Sequence, residues 1–396
     1  MQHRLREMLA RLALIAAALA IAFVVGELAV RGLERFGVLA DPREGALFEI
    51  VEHAGKSRMS ENEILFWEPD PDHPMINADG FRDRDYDVGK SDAVRIVVLG
   101  DSVTFGRGVP LEGTYVKLLE ERLNREERGG LRYEVLNLGV SGYNSRQQLE
   151  FYETKGRKYE PDLIVIGFVL NDTLPANRQL EALAALADRR SGKTTQEQAD
   201  WREFRKRWRT DPRFRESMNQ LRSAVPDAQW EEHAARRKAA ARKSPGGSRL
   251  IALVRDRLKR LRQEAQVGRH PWVVRSYSNP KTWRIVGDSF AGFSRISAKD
   301  GVPVLVVIFP LLTDFEDYAF VSIHEKVANE ARERGLEVLD LYERFRGEDA
   351  ESFRQSGQDT VHPNAQGHRS VAQWIYEHLV ASGLLRKLEP RGAGAE

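Results

Sequence analysis

The sequence predicts an α/β fold, a parallel sheet of about five strands with helices on both faces, and two observations carry that prediction. Short apolar runs recur from residue 94 onward, at residues 95–99, 133–138, 162–168, 302–309 and 336–339. Between the first three lie polar segments of helical period, 115–127 with Leu118, Leu119 and Leu123, and 145–155. Strands that alternate with helices of about 10–15 residues form parallel sheets covered on both faces, so their strands are continuously apolar instead of alternating. Ligands of such sheets bind beyond the carboxyl ends of the strands, where the strand order reverses. The residues just after each run are therefore where chemistry is to be sought.

The N-terminus precedes this pattern. Arg4, Arg6 and Arg11 lead into a stretch without charge from Leu12 to Gly26, and continuing to Val30 gives 19 residues. That is close to the roughly 20 residues a helix needs to cross the hydrocarbon of a bilayer. We expect an uncleaved transmembrane signal anchor over 12–30, with 1–11 cytoplasmic. Ala18-Leu19-Ala20 also fits a small-x-small cleavage site, and a buried core helix is the remaining alternative. Arg31, Arg35 and Arg43 follow the span, so the count of flanking positive charges is nearly tied.

Residues 31–92 are rich in charge, Pro and Gly with scattered aromatics (Phe66, Trp67, Phe81), and we expect a juxtamembrane lead-in without a core of its own. Gly89-Lys90-Ser91 is no phosphate loop: residue 84 is Arg, and a strand follows where a helix is required. Asp70, Asp72 and His73 stand in a proline-broken stretch that spreads them apart, which fits a solvated loop better than a metal site. The strand–helix pattern fills 93–388, and 389–396 reads as a flexible tail.

Within that domain the alternation breaks between the third and fourth runs. Residues 173–284 carry 27 Lys+Arg against 12 Asp+Glu, although the whole chain is only +2. We expect a basic helical insertion there, whose charge is either a solvated face or a contact for an anionic surface such as head groups or acidic polysaccharide. No nucleic-acid recognition motif accompanies the charge. The 41% hydrophobic content suffices for a packed core, and the absence of cysteine excludes disulfides, thiolate metal sites and cysteine nucleophiles. Nothing in the sequence calls for a cofactor or metal.

The ends of the runs supply a consistent set. The first ends in Gly100-Asp101-Ser102, with the next helix starting nearby. The second ends in a stretch with Gly139 and Gly142, whose backbone N–H groups no side chain obstructs. The third presents Asn171. After the last come Asp359 and His362, three residues apart, so one tight turn lets the carboxylate accept from the imidazole and fix its tautomer. Together these give a nucleophile, oxyanion donors from three strand ends and a base with its own orienting carboxylate.

These blocks resemble those of the SGNH (GDSL) hydrolases. Gly100-Asp101-Ser102 is similar to the first block, Gly139 to the glycine block, Asn171 to the asparagine block and Asp359-Thr360-Val361-His362 to the closing D-x-x-H. The resemblance implies a three-layer α/β/α domain with a flavodoxin-like sheet and a carboxylic ester hydrolase activity. It implies Ser102 as nucleophile, His362 as base and Asp359 as its orienter. The implied oxyanion hole is the Ser102 and Gly139 backbone N–H groups with the Asn171 side chain. Many relatives are exported or membrane-tethered bacterial proteins acting on acyl esters, which favours a periplasmic or extracellular catalytic domain. The family's third block is often G-x-N-D, whereas Val169 stands two positions before Asn171, and we expect its side chain to narrow the pocket.

Other candidates lack company. Gly287-Asp288-Ser289 repeats the tripeptide inside a helix-period stretch, with Trp283, Val286, Phe290, Phe293 and Ile296 on one face. His368 reads as a structural residue at the start of the last helix, and Ser141 as a pocket-wall candidate. The expected function is hydrolysis of O-acetyl or short-chain acyl esters on an envelope carbohydrate or lipid, through an acyl-enzyme on Ser102. The alternatives are an envelope O-acyltransferase with the same triad and a non-catalytic, membrane-tethered binding protein.

Overall fold

The computed structural model describes residues 11, 22–28, 56–62, 64–89, 92–126, 130–174, 270–357 and 359–388. The chain divides into two compact units, Met1–Glu49 with Val225–Pro271 and Ile50–Ala224 with Trp272–Glu396. In the first unit residues 22–28 are helical, and Phe23, Val24, Val25 and Leu28 are exposed. Most of the expected span 12–30 lies outside the described residues. Among the described residues no helix is long and apolar enough to cross a membrane.

The second unit holds the sheet. Its described strands are β1 (Ser57–Met59), β2 (Trp67–Pro69), β3 (Val94–Gly100), β4 (Tyr133–Gly139), β5 (Leu163–Val169), β6 (Val304–Phe309) and β7 (Glu337–Asp340). β3 to β7 form one parallel sheet of order β4-β3-β5-β6-β7, and β1 and β2 form a separate antiparallel ribbon. Every residue of β3, β4, β5 and β6 is buried, which explains their mainly apolar character. Even Arg95 is inside, where Glu134 and backbone carbonyls of Tyr159 and Asp87 satisfy its guanidinium.

The described α-helices that follow the first strands are α1 (Ser102–Phe105), α2 (Tyr115–Arg125), α3 (Ser145–Phe151), α4 (Pro271–Ser278), α5 (Pro280–Asp300), α6 (Val321–Glu333), α7 (Tyr342–Phe345), α8 (Ala365–Ala381) and α9 (Leu384–Leu388). Thr114 caps α2 through Lys117 N–H, and Asn144 and Gln147 form a reciprocal capping box on α3. α8 packs against α2, and α5 packs against α3 and α6. Because right-handed crossovers leave β3 in one direction and β4 in the other, these two helix layers cover opposite faces. The order reverses at β3, and the crevice above its carboxyl end is the expected binding place.

Two boundaries move. From residue 50 the lead-in is part of this unit, and in its described residues Leu65, Trp67 and Phe81 are buried, Trp67 against Tyr143 and Phe81 against Phe151 and Tyr159. Asp83 Oδ2 accepts from Asn137 N–H at 2.8 Å and from Lys117, while Lys117 and Tyr86 both donate to Val135 O. These side chains cover the outer edge of β4, which would otherwise expose unpaired backbone groups. The insertion assigned to 173–284 lies outside the described residues from 175 to 269. Its far end is α4 and the start of α5, a single 21-residue helix capped by Asn279 that runs through the expected boundary.

Candidate active site

Three glycines set the platform for the site. Gly100 pairs with Gly139 on one side and with Gly167 on the other, so three adjacent strands carry glycine at one level. A Cβ on Gly100 would lie 2.0 Å from Thr104 Oγ1, one on Gly139 2.3 Å from Phe105 N, and one on Gly167 2.6 Å from Thr104 Oγ1 and from Tyr115 Oη. The single turn of α1 thus rests directly on the sheet. Asp101 caps that turn, its Oδ1 accepting from Val103 N–H at 2.9 Å, and Gly106 ends it in the left-handed conformation at φ 80°. Arg82, from the lead-in, donates to Phe105 O, Gly106 O and Val109 O at 2.6, 2.6 and 2.7 Å and so fixes the same turn from behind.

Ser102 opens α1, with Oγ 2.8 Å from His362 Nε2. On the far side of the ring, Nδ1 lies 2.9 Å from Asp359 Oδ2 and 3.0 Å from Oδ1. Asp359 Oδ1 also accepts from the Val361 and His362 N–H groups at 3.0 Å each. Burial pushes the Asp359 carboxyl up, but the hydrogen bond from His362, the His362 charge and the two backbone donors outweigh it and hold it at about 2. The carboxylate can only accept, so Nδ1 carries its hydrogen and Nε2 faces the serine hydroxyl as a base. The spacing of three residues expected from the sequence is realised as one tight turn.

Asn171 stands opposite, in the turn after β5. Its Nδ2 donates to Asp101 Oδ2 at 2.9 Å, which leaves the second amide hydrogen for another acceptor. Asp101 is fully buried, a placement that membership of the tripeptide alone does not reveal. The next residue, Asp172, is also fully buried; burial, and then the Asp101 charge, push its carboxyl well up. Its Oδ2 accepts from Gln148 Nε2 at 2.9 Å and Val169 N–H at 3.2 Å.

Gly139 does not serve as expected. Its N–H donates to the Asn137 side chain at 3.0 Å, and its missing Cβ is what lets α1 approach. N–H groups without a partner among the described residues lie in the turn that follows. Residues 140–143 form a turn closed by Tyr143 N–H to Val140 O at 3.0 Å, with Gly142 at φ 78°, the left-handed conformation that a type II turn requires in its third position. Among the described residues the N–H groups of Gly142 and Ser102 have no hydrogen-bond partner. Both glycines were visible in the sequence; which N–H is free depends on the reach of Asn137.

The other expectations resolve as follows. Val169 is 1% exposed and pairs with Phe309, so it offers no surface that could narrow a pocket. Ser289 lies in α5, 1% exposed, with Oγ donating to Ile285 O. His368 sits in the first turn of α8, fully buried, stacked on Tyr115, with Nδ1 accepting from Tyr115 N–H at 3.1 Å. Burial, then the charges of Arg82 and His362, push His368 down to about 3, so it stays neutral. Ser141 is buried and its hydroxyl has no partner among the described residues. His73 Nδ1 accepts from Met75 N–H and Asp70 Oδ1 from Asp72 N–H, which employs both within their own turn.

A serine–histidine–carboxylate relay at the carboxyl edge of a parallel sheet is the arrangement of a serine-type esterase. Residues 98–370 match the profile of the GDSL-like Lipase/Acylhydrolase family, and the chain belongs to that family. It is a carboxylic ester hydrolase. Comparison with curated proteins finds no match. Solved structures similar to the chain include TesA, at 16% identity and a TM-score of 0.37, covering 72% of this chain and 97% of that one. An acetyl xylan esterase, AlAXEase, matches at 15% identity and a TM-score of 0.37, over 72% of this chain and 100% of its own. The psychrotrophic esterase EstA of Pseudoalteromonas sp. matches at 12% identity and 0.36, over 74% and 99%.

Proposed function

We propose that the protein hydrolyses O-acetyl or other short-chain acyl esters on a cell-envelope carbohydrate or lipid, with Ser102 as nucleophile. The observation that carries the reading is the continuous chain from Ser102 Oγ through His362 to Asp359, with contacts of 2.8 and 2.9 Å. As Oγ attacks the ester carbonyl, its proton passes to His362 Nε2, and Asp359 stabilises the resulting imidazolium. The oxyanion is received by the N–H groups of Ser102 and Gly142 and the second amide hydrogen of Asn171. His362 then gives its proton to the leaving alcohol. A water, deprotonated by the same nitrogen, attacks the acyl-serine and releases the acid.

The envelope setting is supported by the uncharged stretch from Leu12 to Gly26 and by the exposed apolar side chains of Phe23, Val24, Val25 and Leu28. The basic segment 173–284, with its 27 cationic residues, is suited to hold the enzyme against an anionic surface. Ser102→Ala in the full chain should abolish turnover of p-nitrophenyl acetate and labelling by a fluorophosphonate. Undiminished turnover would end the assignment. Supplying a glycan acceptor and seeking acylated product by mass spectrometry separates hydrolysis, which yields only free acid, from transfer. Retention of the full chain in carbonate-washed membranes tests the anchor.

A further inference from the structure

A second histidine–carboxylate pair lies under the loop that joins β6 to α6, and the proposed chemistry does not use it. His324, in the first turn of α6, is 1% exposed, with Nδ1 2.7 Å from Asp340 Oδ1 at the end of β7. Its Nε2 is 3.1 Å from the Tyr318 hydroxyl, and Tyr318 is itself only 6% exposed. The direction of each bond follows from what each atom can do. Leu311 N–H donates to the Tyr318 oxygen at 2.9 Å, so the phenolic hydrogen is left for Nε2, and Nδ1–H goes to the carboxylate. Tyr318 is held flat on Tyr342, ring centroids 4.6 Å apart, and edge-on to Phe320. The set copies the catalytic relay with a phenol in place of the serine, but its imidazole and phenol are buried, only its carboxylate reaches solvent, and it ends on a backbone N–H.

That backbone leads to the site. Leu312 N–H donates to Thr360 O at 2.7 Å, and Leu312 O accepts from Arg354 Nε at 2.7 Å. Thr360 is the residue after Asp359 and two before His362. Arg354 also forms an isolated antiparallel bridge with Pro363, on the other side of His362. The loop after β6 therefore grips the Asp359–His362 turn, and its own shape is set where Leu311 meets Tyr318.

We propose that Tyr318, backed by His324 and Asp340, is a positioning residue that holds the Asp359–His362 turn in register with Ser102. The proposal rests on the reading of Ser102, His362 and Asp359 as the triad. In the full chain, Tyr318→Phe leaves a buried Leu311 N–H and His324 Nε2 without partners. It should lower kcat/KM for p-nitrophenyl acetate about 10-fold, through kcat more than KM, and slow fluorophosphonate labelling of Ser102 in parallel. It should also move the midpoint of the acid limb of the kcat/KM profile by about half a pH unit, because the imidazole's alignment with Asp359 changes. A purely structural role would lower the melting temperature and leave that midpoint in place.

Asp340→Ala, at a carboxylate 21% exposed, provides a second variant should Tyr318→Phe fail to fold. It should produce the same displacement of the acid limb. His324→Gln, whose amide can accept from Tyr318 and donate to Asp340, should restore activity to within about threefold of wild type, while His324→Leu should not. Folded Tyr318→Phe or Asp340→Ala with kcat/KM within about twofold of wild type and an unmoved acid limb overturns the proposal. Ser102→Ala is run alongside: full activity in that variant overturns the triad reading instead, so the two failures are distinguishable.

Discussion

Replacing Asn171 with alanine removes two hydrogen bonds that differ in kind, and the difference can be measured. In the resting protein Asn171 Nδ2 donates to Asp101 Oδ2 at 2.9 Å. That bond is present in the ground state and the transition state alike, so its loss falls on stability, at about 1.5–3 kcal/mol for a bond to a charged group. In the proposed mechanism the second amide hydrogen meets an acceptor only when the carbonyl oxygen becomes an oxyanion. Its loss falls on kcat, by on the order of 100- to 1,000-fold, or about 2.7–4 kcal/mol, with KM nearly unchanged. The assay is steady-state hydrolysis of p-nitrophenyl acetate, with active enzyme counted by fluorophosphonate titration, beside a urea denaturation curve. A kcat within about fivefold of wild type, or a loss carried wholly by KM, would refute the placement of Asn171 in the oxyanion hole.

Gly139→Ala should behave in the opposite way: a Cβ 2.3 Å from Phe105 N forces the nucleophile's turn off the sheet, so the urea midpoint falls by the equivalent of about 3 kcal/mol or more before any selective effect on kcat is seen. Arg82→Met removes three donors from buried carbonyls of the same turn and should cost about 3 kcal/mol or more in the same measurement. His368 gives the unit an acid-labile point. Its folded value of about 3 lies below the ordinary 6.5, so the unfolded chain binds the extra proton between those values. Stability is therefore full above pH 6.5 and falls as pH drops toward 3, by up to about 1.4 kcal/mol per unit, a slope that His368→Gln should remove from urea midpoints measured across that range.

The strands were legible because burial on both faces writes a continuous run of β-branched and aliphatic residues. In β3 that run is Ile96 to Leu99. The residues of the relay were legible because Asp359 and His362 interact through local spacing, which survives in sequence. What was hidden involves long reach or irregular backbone. Leu65, Trp67, Phe81 and Arg82 are buried without any period, since the segment that carries them is neither helix nor long strand. The choice between Gly139 and Gly142 turned on one side chain, Asn137, taking up one N–H. His324 and Asp340 stand 16 residues apart on a helix and a strand, a separation that no local motif encodes. Val169 misled because a pattern position was taken for a pocket position, while the strand carries it into the core.

The two copies of Gly-Asp-Ser show what the tripeptide needs in order to act. In α5 a Cβ on Gly287 would meet Glu330 Oε1 at 3.1 Å, a flexible side chain that can yield, and Ser289 spends its hydroxyl on the helix backbone. At Gly100 the same addition meets Thr104 within its own turn, and the glycines beside it in the sheet leave the strand ends bare at one level. A bare platform lets α1 sit against the sheet, which points Asp101 at both Val103 N–H and Asn171. Asp101 thereby couples the capping of the Ser102 helix to the orientation of Asn171, which follows another strand. What sets Ser102 apart from Ser289 is the register of the glycines beside Gly100, which strand pairing fixes between residues distant in the chain.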